Sequence, residues 1–186
     1  MVCYDTRGAT QGNRPQLPPM IHSGAFEVRR SADEVFDLLA NPERFGPLMP
    51  DFESMAVQDA THFTLRTVIQ VGQISGHANL AMELCDAVRP GSVGYSGAAT
   101  LAGSPLSLKL DFVVTSVDAA TEISWRGEVT LGGSLALLAG SLMDTMGRQS
   151  FERMAARLRE SLREQAAFPA EERTGDAVPE PPDYEI

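Results

Sequence analysis

The side chains that could carry out chemistry are few in this sequence, and they are scattered. There are three histidines, His22, His62 and His77, and two cysteines, Cys3 and Cys85. None has the His-x-x-x-His or Cys-x-x-Cys spacing that brings metal ligands together. We therefore expect no metal ion and no catalytic set. The histidines are predicted to be solvated, and Cys85, which ends an apolar run, is predicted to be a core thiol.

Two other features suggest a polar site. Gly132-Gly133 precedes a helical segment, where phosphate-binding loops occur, but the Gly-x-Gly-x-x-Gly spacing is absent. A turn from strand to helix itself favours glycine, so we interpret the pair as a turn. Asp144 interrupts an apolar helical stretch and is the best candidate for a polar contact at a cavity mouth. The simpler interpretation is a helix residue that faces solvent.

Composition excludes several classes of protein. The formal net charge of -10 argues against nucleic acid, which needs clustered Lys and Arg. No signal-peptide pattern and no uninterrupted apolar run of about eighteen residues is present, so we expect a cytoplasmic chain without a membrane-spanning helix. Residues 1–19 are predicted to be a disordered leader and residues 168–186 a disordered, acidic, proline-rich tail around one domain at 20–167.

Helix signals follow a first strand that begins near Met20. Ser31 and Glu34 have the spacing of a capping box, in which each side chain satisfies a free backbone N–H. Asn41-Pro42 ends this helix and begins a second, short one, because Asn caps helices and Pro fits their first turn.

The period of the apolar residues changes from near 3.6 to 2 between residues 51 and 132. Four alternating runs, FTLRTVIQVGQI, HANLAMELC, SLKLDFVVTSV and TEISWRGEVTL, predict strands with one buried face. Turns are predicted where Gly, Pro and Asp cluster between these runs. They lie at Ser75-Gly76, Arg89–Gly91, Gly103–Pro105 and Asp118–Thr121.

A helical period returns from Ser134 to about Ala167, which predicts one long helix. Its first half is almost uncharged and its second half is rich in charge, so we expect the first half to pack under the sheet and the second to be partly solvated. Arginines at four-residue steps in the second half are predicted to form basic stripes on a solvated flank. They are Arg153, Arg157, Arg159 and Arg163.

Several segments together resemble the G-subunit family of carbon monoxide dehydrogenase, over roughly residues 22–165. They are GAFEVRRSADEVFDLLANPERFGPLMPDFESM, VGQISGHANLAMEL, GYSGAA and GGSLALLAGSLMDTMGRQSFERMAARL. The resemblance and the order of elements imply an α+β helix-grip (START-like) fold. In this fold a curved antiparallel sheet wraps around a long C-terminal helix, two short helices follow the first strand, and a cavity lies between sheet and helix.

The resemblance also implies a function. Members of this family accompany molybdenum hydroxylases and belong to a superfamily of lipophile carriers. We expect a non-enzymatic protein that binds an apolar ligand, a quinone or other lipid, and serves or recruits a molybdenum hydroxylase such as carbon monoxide dehydrogenase. No tightly required cofactor is expected. Transient contact with the inner face of the membrane is expected, although the acidic tail departs from the hydrophobic or basic tails of some relatives.

Two alternatives stay open. A cyclase- or hydratase-like enzyme could use the same cavity, and it would need converging titratable groups inside, such as a His with a carboxylate. An assembly factor for the hydroxylase is the other.

The predicted ligand-binding residues come from three walls of the cavity. Six methionines lie in the segments that should line the interior, and they suit either an adaptable cavity or an ordinary core. They are Met49, Met55, Met82, Met143, Met146 and Met154. The walls are the second helix and the loop after it (Phe45, Leu48, Met49), the sheet (Leu80, Met82, Phe112, Trp125) and the first half of the long helix (Leu138, Leu142, Met146).

Overall fold

A computed structural model describes residues 18–71, 74–101, 103–133 and 140–164. Almost all of the predicted leader and all of the predicted tail lie outside these residues. Seven strands form one antiparallel sheet in the order β1-β7-β6-β5-β4-β3-β2. The strands are β1 (Met20–Val28), β2 (Phe52–Val57), β3 (His62–Val71), β4 (Ile74–Val88), β5 (Ser92–Leu101), β6 (Ser104–Val117) and β7 (Ala120–Leu131).

Two short helices connect β1 to β2, and both start where the caps predict. In α1 (Ala32–Leu39) the Glu34 N–H donates to Ser31 Oγ, and the Ser31 N–H donates to the Glu34 carboxylate at 3.0 Å. In α2 (Pro42–Phe45) Asn41 Oδ1 accepts from the Glu43 N–H at 2.9 Å. Both predicted caps are confirmed. A single 3-10 turn, Gly46–Leu48, then leads into β2.

Of the four predicted turns, one lies elsewhere and one is shorter than predicted, with Gly103 in the turn. Ser75 and Gly76 are strand residues of β4 that pair with Gln70 and Ile69 of β3, so this hairpin closes beyond the Val71–Ile74 pair. The strand continues because the alternation of residues towards and away from the core continues through Gly76. Ser104 and Pro105 likewise belong to β6 and pair with Leu101 and Thr100 of β5.

The helices cover one face of the sheet, here called the inner face. Its aromatic side chains pack against one another below α1 and α2. Phe45 stacks on Tyr95 with ring centroids 4.6 Å apart, and it meets the edge of Phe112 at 5.6 Å. All three rings are almost fully buried. The Tyr95 hydroxyl donates to the Leu39 carbonyl at 2.6 Å and so satisfies a carbonyl at the C-terminal end of α1. Burial raises the pKa of this hydroxyl.

The long helix, α3 (Gly140–Glu164), packs on the sheet through its second half. Phe151, Met154, Leu158 and Leu162 are buried at three- and four-residue steps. The other faces carry exposed charged residues such as Glu152, Arg159 and Glu160, so the second half is partly solvated, as expected. Residues 134–139 lie outside the described structure.

We expect the buried hydroxyl of Tyr95 to contribute measurably to stability. Tyr95→Phe removes the donor and leaves the Leu39 carbonyl buried without it, so the free energy of unfolding should fall by about 1–3 kcal/mol. Denaturant unfolding would measure it. Thr64→Val is the matched control, since it removes a hydroxyl whose hydrogen bond to Gln58 is exposed. That change should stay within about 0.5 kcal/mol. Equal effects would contradict the prediction.

Candidate ligand-binding site

Bulky buried side chains fill the inner face under α1 and α2. Along β5 its residues run from Val93 and Tyr95 to Gly97 and Ala99, so bulky side chains give way to small ones. The Tyr95 end lies under α1 and α2. At the Gly97 end, a Cβ on residue 97 would lie only 2.5 Å from the Met82 sulfur, so the Met82 side chain occupies the space that a larger residue would need. Beyond this point nothing bulky projects from β5 until Leu101.

Three apolar residues beyond that point are only partly buried although they face inward. They are Ala99 on β5, Leu106 on β6 and Val129 on β7, and they pack against the main core from its edge. Ala99 pairs with Leu106, and Val129 pairs with Leu108. We call these three residues the distal inner face. Inward-facing apolar surface that the protein itself leaves partly uncovered is available to an apolar ligand.

A second small cluster borders the distal inner face. Leu131 is fully buried, and Met20, Leu106 and Met146 of α3 pack against it. The helix therefore approaches this end of the sheet as well, so the distal inner face lies between the sheet and the first half of α3.

The structure divides the ten predicted ligand-binding residues. Six are buried in the main core, where they touch other side chains: Phe45, Met49, Leu80, Met82, Phe112 and Trp125. Leu48 is partly buried against the same core. Leu80 lies against Gly97 of β5, where a Cβ would be 3.3 Å from its Cδ1. Met146 lies at the border of the distal inner face.

Two of the predicted residues lie beyond what the structure shows. Leu138 is outside the described residues, and for Leu142 only the position within α3 is described. A ligand-binding role for the ten residues stays a prediction. Among the described members, Met146 is the one that the fold places next to uncovered apolar surface.

Sequence reasoning missed His22. Its side chain is 12% exposed, whereas those of His62 and His77 are 52% and 55% exposed, so the prediction of solvated histidines is wrong for His22. The ring lies 5.7 Å from that of Phe151, and its Nε2 is buried. The signal was present in the alternation of β1, because His22 shares the inward parity of Phe26 and Val28.

Asp144 of α3 is the acidic neighbour of His22. Its Oδ1 lies 3.5 Å from His22 Nε2, while its own side chain is 59% exposed. Asp144 faces solvent, as the simpler interpretation predicts, and its carboxylate also lies near a buried polar atom of the inner face. A contact at a cavity mouth stays a prediction. Gly147, one turn further along α3, lets the helix approach, because a Cβ there would be 3.3 Å from His22 Nε2.

Two of the predicted basic-stripe arginines bind the segment between α2 and β2. Arg153 makes two hydrogen bonds to the Asp51 carboxylate, at 3.1 and 3.0 Å, and Arg157 donates to the Met49 carbonyl at 2.7 Å. All four arginines of the predicted stripe are exposed, so the flank is solvated as predicted, and two of them also engage this segment. These contacts hold the segment against the second half of α3.

The remaining candidates do not form a site within the described residues. Cys85 is partly exposed at an irregularity of the β4–β5 register, so the prediction of a core thiol is wrong. No group of three His, Cys, Asp or Glu residues that could hold a metal ion occurs in the described part of the chain. An open groove of about 340 Å³ lies between the α1–α2 turn and the β2–β3 hairpin, and none of the ten predicted residues is among those that line it.

Solved structures define the class to which this fold belongs. A conserved protein from Geobacillus kaustophilus superposes with a TM-score of 0.68 at 12% identity, over 78% of this chain and 96% of that chain. A START superfamily protein from Mycobacterium smegmatis gives 0.60 at 12%, over 78% and 98%. The Zhui aromatase/cyclase from Streptomyces sp. R1128 gives 0.56 at 14%, over 81% and 94%. The predicted α+β helix-grip (START-like) fold is confirmed.

The chain belongs to the carbon monoxide dehydrogenase G-subunit (CoxG) family, whose model matches residues 24–165. The family resemblance seen in the sequence is confirmed. Comparison with curated proteins gives no match.

If the distal inner face borders a void, added volume should be tolerated there. We expect Ala99→Phe to change the free energy of unfolding by no more than about 0.5 kcal/mol, as at a surface position. Ala78→Phe is the matched control, because Ala78 is 3% exposed on β4 and overpacking there should cost about 1–3 kcal/mol. Thermal and denaturant unfolding of both variants would decide. A cost at Ala99 as large as at Ala78 would mean that the distal inner face is filled.

Proposed function

We propose that this protein binds an apolar small molecule, a quinone or other lipid, between the sheet and the first half of α3. The carrying observation is the distal inner face, where Ala99, Leu106 and Val129 point inward and stay partly exposed. Burying about 300 Å² of ligand surface there would contribute up to about 7–8 kcal/mol, close to the binding free energy of a micromolar complex. No charged contact is needed for such an affinity.

The partner that we propose is a molybdenum hydroxylase such as carbon monoxide dehydrogenase. Membership of the CoxG family supports this assignment, because the family is named after that enzyme. A carrier could supply the enzyme with a quinone or recruit it to a membrane. Neither role requires chemistry by this chain, and we propose that it needs no tightly bound cofactor of its own.

Collection of an apolar ligand requires transient contact with a membrane. We propose that this contact is made with the cytoplasmic surface of the inner membrane. No helix of the described residues is both long enough and apolar enough to cross a bilayer. Arg148, Arg159 and Arg163 are exposed on α3 and could approach anionic lipid, whereas Arg153 and Arg157 hold the segment before β2. Attraction of about 1 kcal/mol per arginine near such a surface would give weak, salt-sensitive contact.

An enzyme that uses the same space is the second candidate, and one observation favours it. His22 and Asp144 supply the convergent His and carboxylate that acid–base chemistry at this site would need. An isolated pair at 3.5 Å also suits a polar contact to a bound molecule, which is the simpler role. Mass spectrometry of a ligand recovered after incubation with the protein separates the two, since a carrier returns it unchanged.

Quinone binding can be followed through the protein itself. Trp125 is the single tryptophan of the chain, and it lies on the inner face stacked on Phe151 with centroids 5.8 Å apart. We expect a short-chain decylbenzoquinone to quench its fluorescence in a saturable way, with a dissociation constant in the micromolar range or tighter. Native mass spectrometry should show one added ligand mass.

Ala99→Phe provides the control, because it fills the distal inner face and should abolish both signals in a folded protein. If the wild type shows neither saturable quenching nor an added mass, with quinones or with lipid extracts, the binding function is wrong. The role with the hydroxylase is tested separately, by asking whether the loaded protein speeds quinone reduction by purified carbon monoxide dehydrogenase.

A further inference from the structure

A buried polar atom without a hydrogen bond lies at the edge of the distal inner face. Among the described residues, the buried His22 Nε2 has no hydrogen-bond partner, and Asp144 Oδ1, at 3.5 Å, is close enough for charge attraction but makes no hydrogen bond to it. Buried polar atoms in folded proteins are nearly always hydrogen-bonded. Such an exception needs an explanation, and an absent ligand oxygen is one.

Besides the Asp144 carboxylate, the imidazole has neighbours that supply no polar group. The Phe151 ring lies beside the imidazole, and the residue that pairs with His22 across the sheet is Gly127, which contributes no side chain. On α3, Gly147 faces the ring without a side chain of its own. None of these three neighbours offers a hydrogen-bonding group to Nε2.

The atom also lies next to the proposed binding space. Along β1 and β7 the next inward pair after His22–Gly127 is Met20–Val129, and Val129 belongs to the distal inner face. A ligand that covers Val129 and Leu106 would therefore end close to His22.

We propose that His22, supported by Asp144, forms the polar end of the ligand site and selects apolar molecules that carry a ring carbonyl or hydroxyl. The carboxylate favours the tautomer with the hydrogen on Nε2, and that N–H donates to the ligand oxygen. A ligand hydroxyl can in addition donate to Asp144 Oδ1. The pair thus accepts both the quinone and the quinol form of one ring, whereas a hydrocarbon leaves it unsatisfied. This inference rests on the proposed ligand-binding function.

The test compares two probes that differ in their oxygens. Decylbenzoquinone and decylbenzene share the alkyl chain and the ring, and each would be titrated by displacement of a fluorescent fatty-acyl probe. In His22→Leu the quinone should bind roughly three- to tenfold more weakly, which is the effect of one lost hydrogen bond. Decylbenzene should bind as it does to the wild type. His22→Gln, which keeps an N–H donor, should restore most of the quinone affinity.

Stability separates a ligand contact from a structural role. His22→Leu replaces a polar atom that lacks a partner with an apolar group, so the ligand-free variant should melt at the wild-type temperature or above it. His77→Leu, at an exposed position, is the control and should leave the affinities for both probes unchanged.

Each other result overturns the inference. If His22→Leu weakens both probes equally, or neither, the histidine acts through packing or binds a water molecule, while the binding function stands. A ligand-free variant that melts well below the wild type would assign His22 a structural role. If the wild type binds neither probe, the proposed function fails together with the inference.

Discussion

The width of the sheet is the constraint on which the rest of the structure depends. Seven strands at about 4.8 Å spacing span about 30 Å, whereas one helix with its side chains is about 10–12 Å across. A single helix cannot cover the inner face of such a sheet. At one end α1, α2 and the rings of Phe45, Tyr95 and Phe112 complete the cover. At the other end Ala99, Leu106 and Val129 stay partly exposed. An uncovered apolar surface is therefore a consequence of this architecture.

The two ends also treat buried polar atoms differently. At the filled end the Tyr95 hydroxyl has a partner at 2.6 Å, so its burial helps to fix α1 on the sheet. Near the distal inner face His22 Nε2 has none within the part of the chain that the structure describes. A protein that was selected only for stability would gain by replacing the imidazole, since a buried donor without a partner costs free energy. The contrast is expected where one end maintains the fold and the other is reserved for a ligand.

Local signals in the sequence predicted much of this fold. The caps at Ser31 and Asn41 depend on residues within three positions, and the strands depend on an alternation that each segment carries by itself. The predicted turn at Ser75-Gly76 was wrong because a glycine within a strand resembles one within a turn. A Ser-Gly pair shows only that the backbone can turn there. The pairing of β3 with β4 decides where the hairpin closes.

The contacts of the candidate site could not be predicted in the same way. His22 and Asp144 lie on β1 and α3, and Arg153 and Asp51 are 102 residues apart. Alternation showed that His22 faces inward, but no local pattern shows which helix residue will lie opposite. The contacts of Arg153 and Arg157 show the same limit, because helical spacing places them on one solvated flank and is silent about the segment that meets it.

The contacts of Arg153 and Arg157 also limit where a ligand could reach the inner face. Asp51 has a left-handed backbone conformation with φ of 53°, which costs a non-glycine residue about 1 kcal/mol, and Arg153 holds its carboxylate with two hydrogen bonds. From the other side the Thr67 hydroxyl donates to the Pro50 or the Asp51 carbonyl. The segment before β2 is thus bound to both α3 and β3. Opening there would break several hydrogen bonds at once, which disfavours entry of a ligand between this segment and α3.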